Sequence, residues 1–189
     1  MLIDLHTHLP TTALTPKSVG LHPWKAATEE LPSEEEIAAA DAVGEIGLDK
    51  ACTVDFALQL KVFEAQLALA EKHHKVVILH TVRAFEESLS TLDRYPLKGV
   101  VFHGFIGSRD QALRAVKKGY FLSFGARTER SPKTIEALRA IPLEHLFIET
   151  DEATVPLEEL YRMVAQTRGI EVTKLEKKIE ENYTRLFTR

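Results

Sequence analysis

What most constrains the fold of this chain is an alternation. Short, nearly continuous apolar runs are separated by amphipathic stretches along the whole sequence: "LIDLH", "SVGLH", "DAVGEIG", "KVVILH", "GVVFHGF", "GYFLSFG" and "EHLFIET". A strand solvated on one face would alternate apolar and polar residues, so continuous runs point to strands buried on both faces, as in a parallel sheet. Between the runs, Phe56, Leu60, Phe63, Leu67 and Ala70 recur at helical spacing, as do Leu157, Leu160, Tyr161 and Val164. Ser33 followed by Glu36 ahead of "IAAA" predicts a capping box, and Leu175, Ile179, Tyr183 and Leu186 predict a final helix. Strand and helix in turn predict an α/β fold, either a barrel or an open doubly wound sheet.

Length narrows this further. The 189 residues suit a single domain, 1–189. A full eight-unit barrel typically needs about 250. The shortfall is local: only about a dozen residues, "THLPTTALTPK", separate the first two runs, too few for a helical crossover of the usual size. The expectation is about seven parallel strands, in a barrel shortened or distorted on that side.

The chemistry stands at the ends of these runs. "LIDLH" leads to His6 and His8, whose side chains share a face if the segment is extended. "DAVGE" ends in Glu45, "VVILH" in His80, "GVVFH" in His103 and "LFIETD" in Asp151. Ligands and catalytic groups of α/β folds gather at the C-terminal ends of the strands. A single histidine there is ordinarily a core or cap residue, and His73, His74 and His145 are read that way. Five strand ends delivering metal-ligand residue types are different, because such groups would be costly to bury together without a compensating charge. Four histidines and two carboxylates exceed what one tetrahedral ion takes. They suit two divalent ions, Mg, Mn or Zn, roughly 3.5–4 Å apart with one carboxylate shared.

Charge limits the partners. With 28 acidic and 24 basic residues the formal net charge is -4, which is not the profile of a protein held on long duplexes by bulk positive charge. It leaves room for local engagement of phosphate. Cys52 is the only cysteine, so no intrachain disulfide forms and a reducing, cytoplasmic setting is expected. No leader-like N-terminus or run of membrane-spanning length is seen in the sequence.

The strings "IDLHTHL", "GLHPW", "VGEIGLD", "VVILHTVRAFEESL", "VFHGFIGSRDQA", "YFLSFG", "LFIETD" and "NYTRLF" follow one another as do the motifs of the TatD family of metal-dependent hydrolases, within the amidohydrolase superfamily. The chain resembles that family from about residue 3 to about residue 187. The resemblance implies a TIM-type (β/α) barrel and a metal-dependent hydrolase acting on ester bonds, a nuclease or phosphoesterase, several members being deoxyribonucleases. It implies that His6, His8, Glu45 and Asp151 hold one metal, and that Glu45 bridges to a second held by His80 and His103. His22 matches a position on the substrate side, and Asp49 and Arg83 lie beside ligands. Two connections, "THLPTTALTPK" and "DKACTVDFALQL", are shorter than is usual in the family, and "FHGF" replaces a frequent "FHCF".

The expected mechanism is two-metal activation of water, with Asp151 as general base and Glu45 as the bridge. Arg83 and Lys50 are candidate cations for a flanking phosphate, and Trp24 a stacking surface for a base or sugar. The expected partner is DNA or another phosphodiester, short or single-stranded, with no membrane partner. Two other readings stay open: a barrel hydrolase of a small ester, lactone or amide, and a metal-binding scaffold with little turnover.

Overall fold

The computed structural model describes residues 1–188. Backbone contacts divide the chain into two compact units: a middle unit, Pro16–Phe102, and a terminal unit in which Met1–Thr15 joins the chain from His103 onward.

In the middle unit four strands, β1 (Ser18–Val19), β2 (Ala42–Asp49), β3 (Val76–Val82) and β4 (Gly99–Phe102), pair in chain order, all parallel. Helices α1 (Glu34–Ala39), α2 (Phe56–Lys72) and α3 (Phe85–Leu92) lie between them in sequence. The apolar runs are buried as their lack of alternation predicts: Val43, Ile46 and Leu48 of β2, Val76 to Leu79 of β3, and Phe63 and Leu67 of α2 are fully covered. The predicted capping box forms, with Ser33 Oγ accepting from Glu36 N at 3.2 Å and Ser33 N donating to Glu36 Oε2 at 2.8 Å. Two buried glutamines of α2 fix neighbouring backbone. Gln66 exchanges hydrogen bonds with Leu21 N and O, and Gln59 does the same with Asp49. These hooks satisfy buried backbone groups and hold the segments that carry His22 and Asp49.

In the terminal unit β5 (Phe121–Phe124) and β6 (Leu146–Ile148) pair in parallel, accompanied by α4 (Arg109–Lys117), α5 (Pro132–Ala140), α6 (Leu157–Arg168) and α7 (Val172–Phe187). The described residues thus carry six parallel strands and seven α-helices, the α/β class expected. The seventh expected strand, "LIDLH", is not regular. It runs beside the end of β6, with Leu5 N donating to Ile148 O, Asp151 N to His6 O and His8 N to Asp151 O, each at 2.9–3.0 Å. Yet it forms only isolated bridges, Ile3 with Leu14 and Thr7 with Asp151. The reason is local: Asp151, opposite Thr7, has a φ of 53°, and a left-handed residue cannot continue an extended ladder. Tyr161 of α6 pins this segment, its hydroxyl donating to Ile3 O at 2.8 Å and accepting from Ile3 N at 3.2 Å. No helix among the described residues is long and apolar enough to cross a membrane.

Candidate metal centre

The middle unit brings Glu45, His80 and His22 together, with one ligand atom from each lying within 4.8 Å of the others. Glu45 is the one residue of β2 that is not fully buried, and it falls where the β2–β3 register shifts between Gly44 and Ile46. An extra residue at such a shift re-aims a side chain. Two residues on, a Cβ at Gly47 would stand 1.9 Å from His80 O, so only glycine lets β2 approach β3 beside that histidine.

Hydrogen bonds set the tautomers. His80 Nε2 lies 3.0 Å from Asp49 Oδ2, and a carboxylate can only accept, so the proton sits on Nε2. That leaves the Nδ1 lone pair facing Glu45, whose Oε2 is 3.5 Å away. His22 is held the other way: its Nδ1 accepts from Trp24 N at 3.2 Å, placing a proton on Nε2, 3.7 Å from Glu45 Oε2. His80 therefore turns a lone pair toward Glu45, and His22 an N–H. Asp49, 2% exposed, also accepts from Trp24 Nε1 at 2.6 Å and from Ala51 N at 2.7 Å. Burial alone would raise its pKa, but the bonds from Trp24, His80 and Ala51 outweigh it and hold the carboxyl below its usual range. The indole of Trp24 also packs edge-on against His22, ring centroids 4.8 Å apart, and the residue is 60% exposed. Lys50 is paired with Glu87 and lies over the Phe56 ring, while Arg83 is exposed on a left-handed backbone, φ 52°.

The terminal unit gathers His6, His8, His103 and Asp151. His6 Nε2 lies 3.2 Å from His8 Nε2, and His8 Nε2 lies 3.6 Å from Asp151 Oδ1. The rings of His6 and His103 are 5.0 Å apart. Glu149, unremarked in the sequence beyond its place in "ETD", belongs to this cluster as well. Its Oε1 lies 3.1 Å from His103 Nδ1, and ligand atoms of His103, Glu149 and Asp151 fall within 4.8 Å of one another. The signal was the i, i+2 spacing to Asp151, which places both on one face of an extended segment. Glu149 has no exposed surface, and its Oε2 has no hydrogen-bond partner among the described residues. Gly104, φ 50°, gives it room, since a Cβ there would meet Oε1 at 3.3 Å.

Both clusters have the donor chemistry of a divalent-cation site, with imidazole nitrogens and carboxylate oxygens turned toward one another. A buried carboxylate with an orphaned oxygen is costly unless a positive charge stands close, and a cation held within the cluster would supply it. The histidines read as structural are elsewhere: His73 Nε2 lies 3.3 Å from Glu34 Oε2, and His145 Nδ1 donates to Tyr120 O at 2.9 Å.

The model of a family described as TatD related DNase matches residues 12–188, and this chain belongs to that family. It is 35% identical over 174 residues to a Haemophilus influenzae protein named an uncharacterized metal-dependent hydrolase, covering 82% of this chain and 66% of the relative. It is 32% identical over 151 residues to the Escherichia fergusonii protein named 3'-5' ssDNA/RNA exonuclease TatD, covering 71% of this chain and 56% of the relative. The chain thus spans less than two thirds of the length of these curated relatives. Among solved structures, YjjV, a TatD homologue from Escherichia coli K12, superposes with a TM-score of 0.83 at 28% identity, over 93% of this chain and 77% of that one. This places the fold in the TIM-type class expected from the sequence.

Proposed function

We propose that this chain is a divalent-metal-dependent hydrolase of phosphodiester bonds, a deoxyribonuclease acting on short or single-stranded DNA in the cytoplasm. The observation that carries the reading is the orientation of the histidines. In each unit a buried carboxylate accepts a hydrogen bond from one ring nitrogen of a histidine, Asp49 from His80 and Glu149 from His103, so that the proton sits there and the other nitrogen carries the lone pair that a cation needs. The nuclease names of relatives, the Escherichia fergusonii exonuclease among them, support the choice of bond and substrate.

In this reading His6, His8, Glu45 and Asp151 would hold one ion and His80 and His103 a second, with Glu45 shared. Divalent ions so held would lower the pKa of bound water toward neutrality and offset the charge that develops on phosphate oxygens. Asp151, whose side chain is 36% exposed, is the group that takes the proton from the attacking water. His22, with its proton on Nε2, steadies the Glu45 carboxylate. Trp24 offers an aromatic face to a base or sugar, its edge held by Asp49. Arg83 would meet a flanking phosphate, and Lys50 would do so only on leaving Glu87.

The test is hydrolysis of a labelled single-stranded oligonucleotide with Mg, Mn or Zn, with and without chelator. Metal-dependent cleavage is expected, with Asp151→Asn losing roughly 10²–10⁴-fold in turnover while circular dichroism stays unchanged. Cleavage of a carboxyl ester or lactone, with no phosphodiester cut by any metal, would assign the site to a different hydrolase. Turnover of neither bond would leave a metal-binding scaffold.

A further inference from the structure

Helix α2 carries two glutamines with almost no exposed surface, Gln59 at 1% and Gln66 at 0%, although glutamine is ordinarily a surface residue. Seven residues apart on the helix, they share a face at about 10.5 Å along its axis. Each turns its amide to one backbone residue and satisfies both of its groups. Leu21 N donates to Gln66 Oε1 at 2.6 Å, and Gln66 Nε2 donates to Leu21 O at 3.1 Å. Asp49 N donates to Gln59 Oε1 at 2.8 Å, and Gln59 Nε2 donates to Asp49 O at 3.0 Å. The reason lies in β1, which is two residues long and whose ladder ends at Val19, opposite Val43. Lys50 N donates to Val82 O of β3, so Asp49, one residue earlier, turns its own N–H and C=O to the edge that β1 no longer covers. The two amides stand in for the missing strand.

Each hook leads to a group of the ligand cluster. Beyond Leu21 comes His22, whose Nε2 lies 3.7 Å from Glu45 Oε2. A Cβ at Gly20 would stand 2.7 Å from Ile46 Cγ2 and 3.0 Å from Gly44 N, so this stretch lies against β2 at the residues flanking Glu45. Asp49 Oδ2 accepts from His80 Nε2 at 3.0 Å. Trp24 joins the two, its N–H donating to His22 Nδ1 at 3.2 Å and its indole Nε1 to Asp49 Oδ2 at 2.6 Å. Hydrogen bonds and short runs of chain thus close a ring, from α2 through Gln66 to Leu21, His22 and Trp24, and back through Asp49 and Gln59. A closed network fixes its members better than the same bonds taken singly, because none shifts without breaking a bond elsewhere. We propose that Gln59 and Gln66 are positioning residues of the metal centre, with α2 as the rigid span that sets how His22 and Asp49 grip Glu45 and His80. The proposal rests on the metal-binding reading for its consequence, whereas the ring itself is tested without metal.

The experiment uses the full chain stripped of metal, with the indole N–H of Trp24, the one tryptophan, as a single NMR reporter of the bond to Asp49. Gln59→Leu and Gln66→Leu are each expected to speed its exchange with solvent at least about tenfold. Leu67→Ala, at a fully buried apolar position of the same helix, loses packing but no hydrogen bond of the ring, and is expected to leave the indole as in wild type. Titration with Zn or Mn then reads the consequence. Affinity should fall about tenfold in either glutamine variant, and in the double variant by less than the product of the two, since both act on one ring. Leu67→Ala should bind metal as wild type does. Gln66→Asn, an amide one methylene too short to reach Leu21, serves if the leucine variants fail to fold. Amide exchange at Leu21 and Asp49 in wild type needs no variant, and protection equal to that of the β2 amides is expected. Unprotected amides there, an indole or a metal affinity unmoved in both glutamine variants, equal losses in Leu67→Ala, or a double variant that multiplies the single losses overturns the proposal. Wild type that binds neither Zn nor Mn would end the metal-binding reading instead, and the indole and amide readouts would still decide whether α2 spans the ring.

Discussion

Glu149 and Asp49 do the same work in different surroundings: each is a buried carboxylate that accepts a hydrogen bond from a histidine and so leaves the lone pair on the ring's other nitrogen. Such partners set both the tautomer and the basicity of a ligand. Glu149→Gln keeps the shape but removes the charge, and metal affinity is expected to fall about 10–100-fold, read by titrating stripped protein with Zn or Mn. A side chain that merely packs would leave that affinity unchanged. Asp49 adds a pH signature. Its folded carboxyl titrates below the ordinary value of 3.8, so its contribution to stability is complete above that value and is lost as pH falls through the lower, folded one. Trp24 is the only tryptophan, and its indole N–H is bonded to this carboxylate. Its fluorescence should therefore hold steady as pH falls through 3.8 and change only below, a transition that Asp49→Asn removes. A midpoint at or above 3.8 in folded protein would contradict the bond network.

At the scale of elements, the N-terminal segment deserves the name of a strand only in part. With two isolated bridges in place of a ladder, it depends on side chains for its position, and Tyr161 of α6 is the main one. The phenol is 1% exposed and satisfies both backbone groups of Ile3, itself 2% exposed. Tyr161→Phe leaves a buried donor and a buried acceptor unpaired, and should cost about 1–3 kcal/mol in urea unfolding. Amide exchange at Ile3 should speed up as well. Because the same segment leads directly to His6 and His8, the substitution should also weaken metal binding, though Tyr161 touches neither histidine. An unfolding midpoint equal to wild type would show that backbone pairing alone holds the segment.

At the scale of the whole chain, metal content tests how the two clusters act. Protein reloaded after chelation should carry up to two divalent ions by elemental analysis. On the shared-carboxylate reading, Glu45→Ala lowers occupancy at both positions, whereas His103→Ala empties chiefly one; unchanged content in Glu45→Ala would contradict a shared Glu45. Much of this was legible in the sequence. Burial on both faces writes itself as unbroken apolar runs, so β2, β3, β4, β5 and β6 could be read locally, as could the capping box at Ser33 and the ligand residue types at strand ends. What could not be read depends on residues far apart in the chain. The irregular first strand follows from the left-handed turn at Asp151, more than 140 positions away. The proton on His80 is placed by Asp49, and the hydrogen bond between Glu149 and His103 spans 46 positions. Periodicity records which way a side chain faces along its own element. Tautomers and orphaned oxygens arise only when distant elements meet, and no local pattern encodes that meeting.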